Sequence, residues 1–527
     1  MFTVSFYKRD FTSRISTRGL NFQVERFSFV AQGGCSEASL RVVGNATNLL
    51  FDLLNYLRAP IEIFDERGQC VWWGYVHSTV IHPPGVGLTL DGFGNRVRVA
   101  YSTPTGRATP SARGTTAWVD DATSQALYGI REYTDTLNEI DATTATQRAN
   151  IVLAQRKYPL PIVELDAEAV PEAYATVTCR GWIDTLDWRN YSRGYLVQYY
   201  DSATAKAVFQ NFGGVRDLPL WGVQRVGQSI TLAYSMYMES ITAGIALNGP
   251  GPRNLRFRIY SGGLPWSGGT VIAETAQYQQ ATGIPATGAN GLIGFPFLTP
   301  AYVAAGTGLW IVAEGDEPST PAYWQNRWQI MLLEEAGGTA YVEYPAGAWK
   351  PRSSTGLAAA NLRFDLNGIL DTSQLVSEAL TTSAEFITAV DVKNTSGIRL
   401  PAYRDGESSL WRVLEELLNM GTTNYRRLLL NLTRERVAQV YEESAGSAGN
   451  PDLLLDLDGV LYDARKQKQG ARSPVAKWVK LIGTPLSDSL SNPPHFFFVE
   501  RATYNVESDR WELEPRGSDQ TFVARIA

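Results

Sequence analysis

Residues 60–81, PIEIFDERGQCVWWGYVHSTVI, read as two strands folded back on a tight turn. IEIFD and VWWGYVHSTVI are rich in β-branched and aromatic residues and set apolar side chains at alternate positions, the period of a pleated strand. Between them Glu66-Arg67-Gly68 is a short polar turn, and its glycine supplies the positive φ that tight hairpins need. A chain built around such a hairpin is expected to be mainly β.

Working outward, TVSFY (3–7), FQVERFSFVA (22–31) and GLTLDGFGNRVRVAYS (87–102) carry the same alternation between Gly, Pro and Asp punctuation. Residues 1–104 are therefore expected to form a small antiparallel barrel or sandwich. NLLFDLLNYL (48–57) breaks the pattern with Leu49, Leu50, Leu53, Leu54 and Leu57 at helical spacing, and is predicted to plug the open end of that barrel. Residues 105–215 begin with a helix in TLNEIDATTATQRANIVLAQRK (136–157), ended by Pro159 and Pro161, and return to strands. LTLDGFGNRVRVAYS (88–102) and VTCRGWIDTLDWRNYS (177–192) share a β-run, a glycine, an aromatic and a closing Tyr-Ser, a weak repeat that implies a second barrel in tandem.

Charged residues thin out from about residue 216, and short strands such as NLRFRIYSG (254–262) and GLWIVAEG (308–315) recur between turn signals. An inserted β-sandwich of jelly-roll type is expected over 216–366. Helices return in TSQLVSEALTTSAEFI (372–387), with Thr372 or Ser373 as N-cap, and in SSLWRVLEELLNMG (408–421), which Gly421 ends. Leu410, Trp411, Leu414, Leu417 and Leu418 of the latter form an apolar stripe expected to pack in the core. HFFFVERATYNVESDRWELEP (495–515) reads as a hairpin able to complete a barrel begun earlier. The fold class is thus mainly β with α+β portions. Four domains are expected: a first barrel (1–104), a second (105–215), the sandwich (216–366) and an α+β domain (367–527).

The chain has 527 residues and a net charge of −6, with no run of Lys and Arg, so no sequence-specific nucleic-acid binding is expected. MFTVSFYKRDFTSR lacks the apolar core of a signal peptide, and no later stretch has the length of a transmembrane segment. Cys35, Cys70 and Cys179 are odd in number and far apart, as in a protein assembled in reducing cytoplasm, and are expected as buried thiols.

Three histidines (His77, His82, His495), without HExxH, paired Cys/His spacing or an Asp-rich calcium loop, nominate no metal site. No P-loop or G-x-S-x-G is present, and no cofactor or catalytic residue is expected. LLLDLDGVLYD (453–463) resembles the first motif of haloacid-dehalogenase-type phosphatases, which would make Asp456 a nucleophile and Asp458 an acid/base. That class needs a parallel doubly wound sheet, and only 64 residues follow Asp463, so a strand and an Asp-x-Asp-Gly turn, with Gly459 in the unusual conformation and solvated aspartates, is the expected reading. Trp221, Trp266, Trp310, Tyr323, Trp324 and Trp328 of the sandwich either fill its core or stack on sugar rings. Trp310, flanked by Leu309 and Ile311, is expected to be buried. Trp266, in the loop GGLPWSGG, is the expected glycan contact.

IEIFDERGQCVWWGYV, TCRGWIDTLDWRNYS and the order helix, Ser-Gly loop, helix, Gly, strand in 375–441 resemble the hub or baseplate proteins of long-tailed bacteriophages, over roughly residues 1–200 and 367–527. The resemblance implies a structural, non-enzymatic tail-tip protein of the virion, assembled in the host cytoplasm. Its partners would be other copies of itself in a ring, first a trimer and alternatively a hexamer, with the tail tube, distal tail and tip or fibre proteins around it. Residues 216–366 resemble the carbohydrate-binding-like sandwiches that phages insert into tail-tip proteins, which implies an alternative role in binding host-surface glycans.

Overall fold

A computed structural model describes residues 2–44, 47–83, 85–103, 113–164, 173–191, 196–199, 206–212, 225–232, 235–248, 255–265, 267–277, 292–315, 327–334, 340–344, 348–351, 360–362, 364–400, 408–445, 451–456, 458, 460–463, 473–483, 496–516 and 522–526. Among the described residues strand makes up 53% and helix 17%, so the protein is mainly β. The chain folds into two compact units rather than four: Met1–Tyr191 with Thr372–Ile398 and Asp405–Ala527, and Ser192–Asp371 with Arg399–Arg404.

In the larger unit the predicted hairpin forms from Pro60–Phe64 and Cys70–His82, with Ile61 opposite Gly74 and Ile63 opposite Trp72. Gly68 takes φ +72°, and Asp65 Oδ1 accepts from the Arg67 and Gln69 amides, so the turn satisfies its own backbone. The sheet then runs Thr3–Phe6, Pro60–Phe64, Cys70–His82, Tyr174–Arg180, Gly34–Gly44, Leu20–Val30, Phe496–Asn505. It curls around Phe6, Phe27, Leu40, Ile61, Ile63 and Trp72, and Leu50, Leu53 and Leu57 of the predicted plug pack into the same core.

Beyond Phe496–Asn505 the sheet closes on itself. Leu453–Leu455 pairs with Val460–Asp463 and Trp478–Leu481, the latter with Phe496–Asn505, which turns back through Arg510–Pro515 to Phe522–Ile526 and so to Val460–Asp463. A six-stranded barrel results, filled by Leu453, Leu455, Leu461, Val479, Val499, Ala502, Trp511 and Leu513. The hairpin predicted at 495–515 therefore does complete a barrel, although its partners are its own C-terminal neighbours. Leu20–Val30 joins that barrel to the N-terminal sheet through Arg26 opposite Asn505, Phe27 opposite Tyr504 and Val30 opposite Arg501. The second barrel expected within 105–215 does not form there. Arg96–Ser102 pairs in parallel with Glu132–Leu137, and helix Ala142–Arg156, capped by Asp141, packs Ala145, Ala149 and Val152 on Val97 and Val99. The proposed repeat fails for the same reason: 182–188, read as part of a strand run, is a 3-10 helix.

Thr372–Ser383 and Leu410–Asn419 are helices beside a three-stranded sheet of Ala389–Val392, Val437–Glu442 and Leu428–Leu432. The second helix buries Leu410, Val413, Leu414, Leu417 and Leu418, whereas Trp411 is only half-buried and turned off that stripe. One residue is about 100° of helix, enough to move Trp411 from the core to its flank. The boundary expected at 104/105 separates no compact units, since Tyr174–Arg180 pairs with both Gly34–Gly44 and Cys70–His82, whereas the one expected at 366/367 lies close to the passage between the units at Asp371 and Thr372.

The smaller unit is a sandwich of two sheets. Thr270–Glu274, Leu255–Ser261, Gly308–Gly315, Arg225–Thr231, Ala340–Tyr344 and Ala348–Pro351 form one, in that order. The other is an eight-stranded sheet centred on Met236–Asn248. Ile230, Phe257, Ile259, Leu309 and Ile311 from the first meet Met238, Ile241, Phe295, Phe364 and Leu366 from the second in one core. Its first and last long strands pair, Leu196 with Asn367 and Tyr199 with Phe364, so the two ends of this unit lie side by side. An insertion whose ends meet costs its host little loop entropy. Among the described residues no helix is long and apolar enough to cross a membrane.

Trp511 is fully buried where the barrel meets the N-terminal sheet, its ring edge-on to Phe27 at 6.1 Å and tilted against Tyr504 at 5.2 Å. Trp511→Ala is expected to lower the stability of the larger unit by about 3–5 kcal/mol in denaturant unfolding. A control at Tyr425, which is fully exposed, should stay within roughly 0.5 kcal/mol.

Candidate functional site

Two polar constellations stand out, one in each unit. In the larger unit Gly181 ends strand Tyr174–Arg180 against the backbone of Cys35, where an added Cβ would lie 1.8 Å from the Cys35 carbonyl oxygen. That close approach needs glycine and launches the 3-10 helix Trp182–Trp188, which buries Trp182, Leu186 and Trp188 and turns Asp184 and Asp187 the other way. Arg180 Nη1 donates to Asp184 at 2.8 Å, and its Nη2 lies 3.4 Å from Asp91. Asp91 Oδ1 is in turn 3.0 Å from His77 Nε2. The buried Tyr75 hydroxyl donates to Asp184 and is pushed well up by burial, then by that carboxylate. Burial and then Arg180 hold His77 below its ordinary value, against the opposing pull of Asp184 and Asp91.

Arg180, Asp184 and Asp187 form one wall of an open groove of about 680 Å³, lined by six carboxylates and three guanidiniums. Asp187 accepts from the Ser409 hydroxyl at 2.6 Å, and that same hydroxyl caps helix Leu410–Asn419. Arg427 on the far wall donates to Glu500 at 2.7 Å. Arg516 extends this alternating charge through Glu443 at 2.6 Å and Glu500 at 3.4 Å. Such walls suit a polar macromolecular surface; a small-molecule site is mostly apolar with few polar groups.

In the smaller unit, strand Gly308–Gly315 turns Leu309, Ile311 and Ala313 into the core. Period two then places Trp310, Val312 and Glu314 on the opposite face. Arg256, Arg258 and Tyr260 stand across from Glu314, Val312 and Trp310 in register, and Arg225 stands across from Glu314 on the other side. Glu314 is nearly buried, and four donors converge on its carboxylate: Arg225 Nη1 at 3.2 Å, Arg256 Nε at 2.9 Å, Arg258 Nη1 at 3.2 Å and the Tyr260 hydroxyl at 3.2 Å. The Tyr260 phenol is pushed up by burial and by Glu314. Trp310 is half-buried with its ring edge-on to Tyr341 at 5.2 Å, and Trp349 lies over Gly227, where an added Cβ would meet its ring at 3.1 Å. An aromatic and guanidinium surface covers this face of the sheet.

No protein-family model matches the chain, and no curated protein matches it. Among solved structures, the infectious bursal disease virus VP2 subviral particle aligns at 11% identity over 67% of this chain and 77% of that one, with a TM-score of 0.16. The Gx strain of the same virus aligns at 12% identity over 69% and 74%, with a TM-score of 0.17. The mosquito-larvicidal Cry4Aa toxin from Bacillus thuringiensis aligns at 8% identity over 59% and 52%, with a TM-score of 0.15. Superpositions this weak carry no argument about fold or function.

The residues singled out in the sequence are distributed as follows. Trp266 lies outside the described residues, as do Trp221, Tyr323, Trp324, Gly459 and His495. Trp310 is not in the core, because strand alternation sends it outward between two inward neighbours. Asp456 caps a turn: Oδ1 accepts from the Val460 amide at 2.7 Å and Oδ2 from the Tyr462 hydroxyl at 3.1 Å. It is half-buried and bonded within an antiparallel hairpin, while Asp458 is exposed as expected. His82 stacks on Tyr174 at 4.9 Å. Among the described residues no three His, Cys, Asp or Glu are grouped to hold a metal. Arg256 and Arg258 were not singled out, although two arginines at i and i+2 in NLRFRIYSG mark a charged outer face.

Cys35 and Cys179 are buried and Cys70 is half-buried. Burial raises all three thiols, Cys70 to about 12, and the thiolate is the reactive form. At pH 8 the folded protein is expected to react slowly with a thiol-specific disulfide reagent, and all three thiols should react promptly once it is unfolded in denaturant.

Proposed function

We propose that this chain is a structural subunit of the hub at the tip of a long-tailed bacteriophage tail, a building element of the virion and not an enzyme. One observation supports the reading above others: a curled N-terminal sheet and a closed C-terminal barrel share one continuous run of strands through Leu20–Val30 and Phe496–Asn505. Subunits that stack and close a ring need stiff β-modules of fixed mutual orientation, and backbone pairing fixes orientation more strictly than side-chain contact. An acidic chain without a basic stripe also suits a ring whose lumen must let DNA pass without gripping it.

On this reading the N-terminal sheet and the barrel make the ring and meet the tail tube, and the sandwich, inserted through adjacent ends, decorates it. Light scattering on the purified full chain, followed by negative-stain imaging, tests the proposal. A threefold or sixfold ring with a central opening is expected, either alone or on addition of tail-tube protein. A chain that stays monomeric under both conditions would overturn it.

A further inference from the structure

Tyr425 is fully exposed and holds a φ of +60°, in the left-handed region that a bulky side chain rarely adopts. The turn that carries it is pinned from several sides. Its amide donates to the Thr422 carbonyl at 2.9 Å and the Thr422 amide to the Arg426 carbonyl at 2.8 Å, while the buried Thr422 hydroxyl and the Asn424 side chain both donate to Glu442. A phenol presented to solvent on so fixed a turn has little entropy left to lose on binding, and tyrosine is among the residues that anchor interfaces. Arg426 stands beside it, exposed and no closer than 3.7 Å to Glu442.

This turn lies at one end of the hairpin of Leu428–Leu432 and Val437–Glu442. The other end is roughly 20 Å away at strand rise. There Arg434, Glu435 and Arg436 line a cavity of about 220 Å³ together with Phe11, Trp73 and Trp182. A cavity of about 150 Å³ holds a benzene ring, so this one has room for a phenol, and its aromatic walls suit one. Arg434 is taken up by Glu62, which it meets through two nitrogens. Arg436 lies over the Phe11 ring at 3.5 Å and gives Nη1 to the Phe386 carbonyl, which leaves donors for a phenolic oxygen. Glu435 is exposed at the mouth, and its carboxylate has no ion pair among the described residues. The knob thus carries an aromatic ring with a cation beside it, and the hole has aromatic walls with an anion at its rim. At opposite ends of one hairpin they cannot meet within a single copy. A second copy brings them together head to tail, the heterologous contact from which rings are built.

We infer that Tyr425 and Arg426 of one copy dock in the cavity behind Glu435 of the next, so that copies of this chain join head to tail. The inference rests on the hub reading only for the closure of joined copies into a ring; the contact itself stands on the knob and the hole. Sedimentation velocity of the full chain over a concentration series tests it, with two variants. Tyr425→Ala removes the knob and leaves the hole, and Glu435→Arg reverses the rim charge and leaves the knob. The unaltered chain is expected to associate, and each variant alone to need at least about tenfold higher concentration. An equal mixture of the two should form a dimer that grows no further, because it uses the one intact knob and the one intact hole. Melting curves on dilute samples, where copies separate, check that the variants fold; Tyr425→Gly, which suits the positive φ, replaces Tyr425→Ala should that variant not fold. A chain that stays monomeric by itself, association unchanged in folded Tyr425→Ala, or a mixture that stays monomeric would overturn the inference and leave the hub reading to the tail-tube experiment. Open filaments lost on Tyr425→Ala would uphold the contact and count against the ring.

Discussion

The pairing of Leu20–Val30 with Phe496–Asn505 is the constraint on which the larger unit depends. It joins residues nearly a whole chain length apart, so it is the most expensive contact to close and the one with the most structure resting on it. On one side it supplies the last strand of the curled N-terminal sheet; on the other it supplies a wall of the C-terminal barrel. Phe27, Phe29, Tyr504 and Trp511 cross the junction as one aromatic cluster, so the two modules share a core as well as a sheet.

The α+β portion is tied to this frame by polar contacts. Gln32 exchanges hydrogen bonds with the backbone of Leu428 and Leu430, and Arg434 grips Glu62 of the founding hairpin through two nitrogens, while Tyr7 donates to the same carboxylate. Beside them Arg58, almost fully buried, lies over the rings of Phe11 and Phe386, and Arg436 lies over Phe11 at 3.5 Å. Burial brings Arg58 down to about 10, with Arg9 and Arg436 adding to the effect. Cation–π contact offsets part of the cost of burying that charge. The same economy recurs in the smaller unit, where one buried carboxylate gathers three arginines.

Local pattern carried the hairpin at 60–81, the helical plug at 48–57, the C-terminal hairpin and the existence of a separate sandwich, because each is written in periodicity and turn residues within about twenty positions. Partner choice was not legible. Nothing in ATVTCR announces that this strand sits between Gly34–Gly44 and Cys70–His82, and so the boundary expected at 104/105 fell inside a single sheet. Trp310 and Trp411 failed for a shared reason. Each stands one position off an inward series: Trp310 between inward Leu309 and Ile311 on a strand of period two, and Trp411 beside the helical stripe of Leu410, Leu414, Leu417 and Leu418. The Arg180, Asp184 and Asp91 chain left only a faint local trace, an arginine four residues before an aspartate, since its remaining members come from elsewhere in the sequence.

Native-state amide hydrogen exchange, resolved by peptide, tests most directly whether the two ends of the chain form one continuous scaffold with the sandwich folded as a unit of its own. The amides of Leu20–Val30 and Phe496–Asn505 are predicted to open with a common free energy and to respond together to Trp511→Ala, while those of Leu255–Ser261 and Gly308–Gly315 are unaffected. Separate opening of the two paired strands, with protection at Leu20–Val30 indifferent to the barrel substitution, would contradict the account.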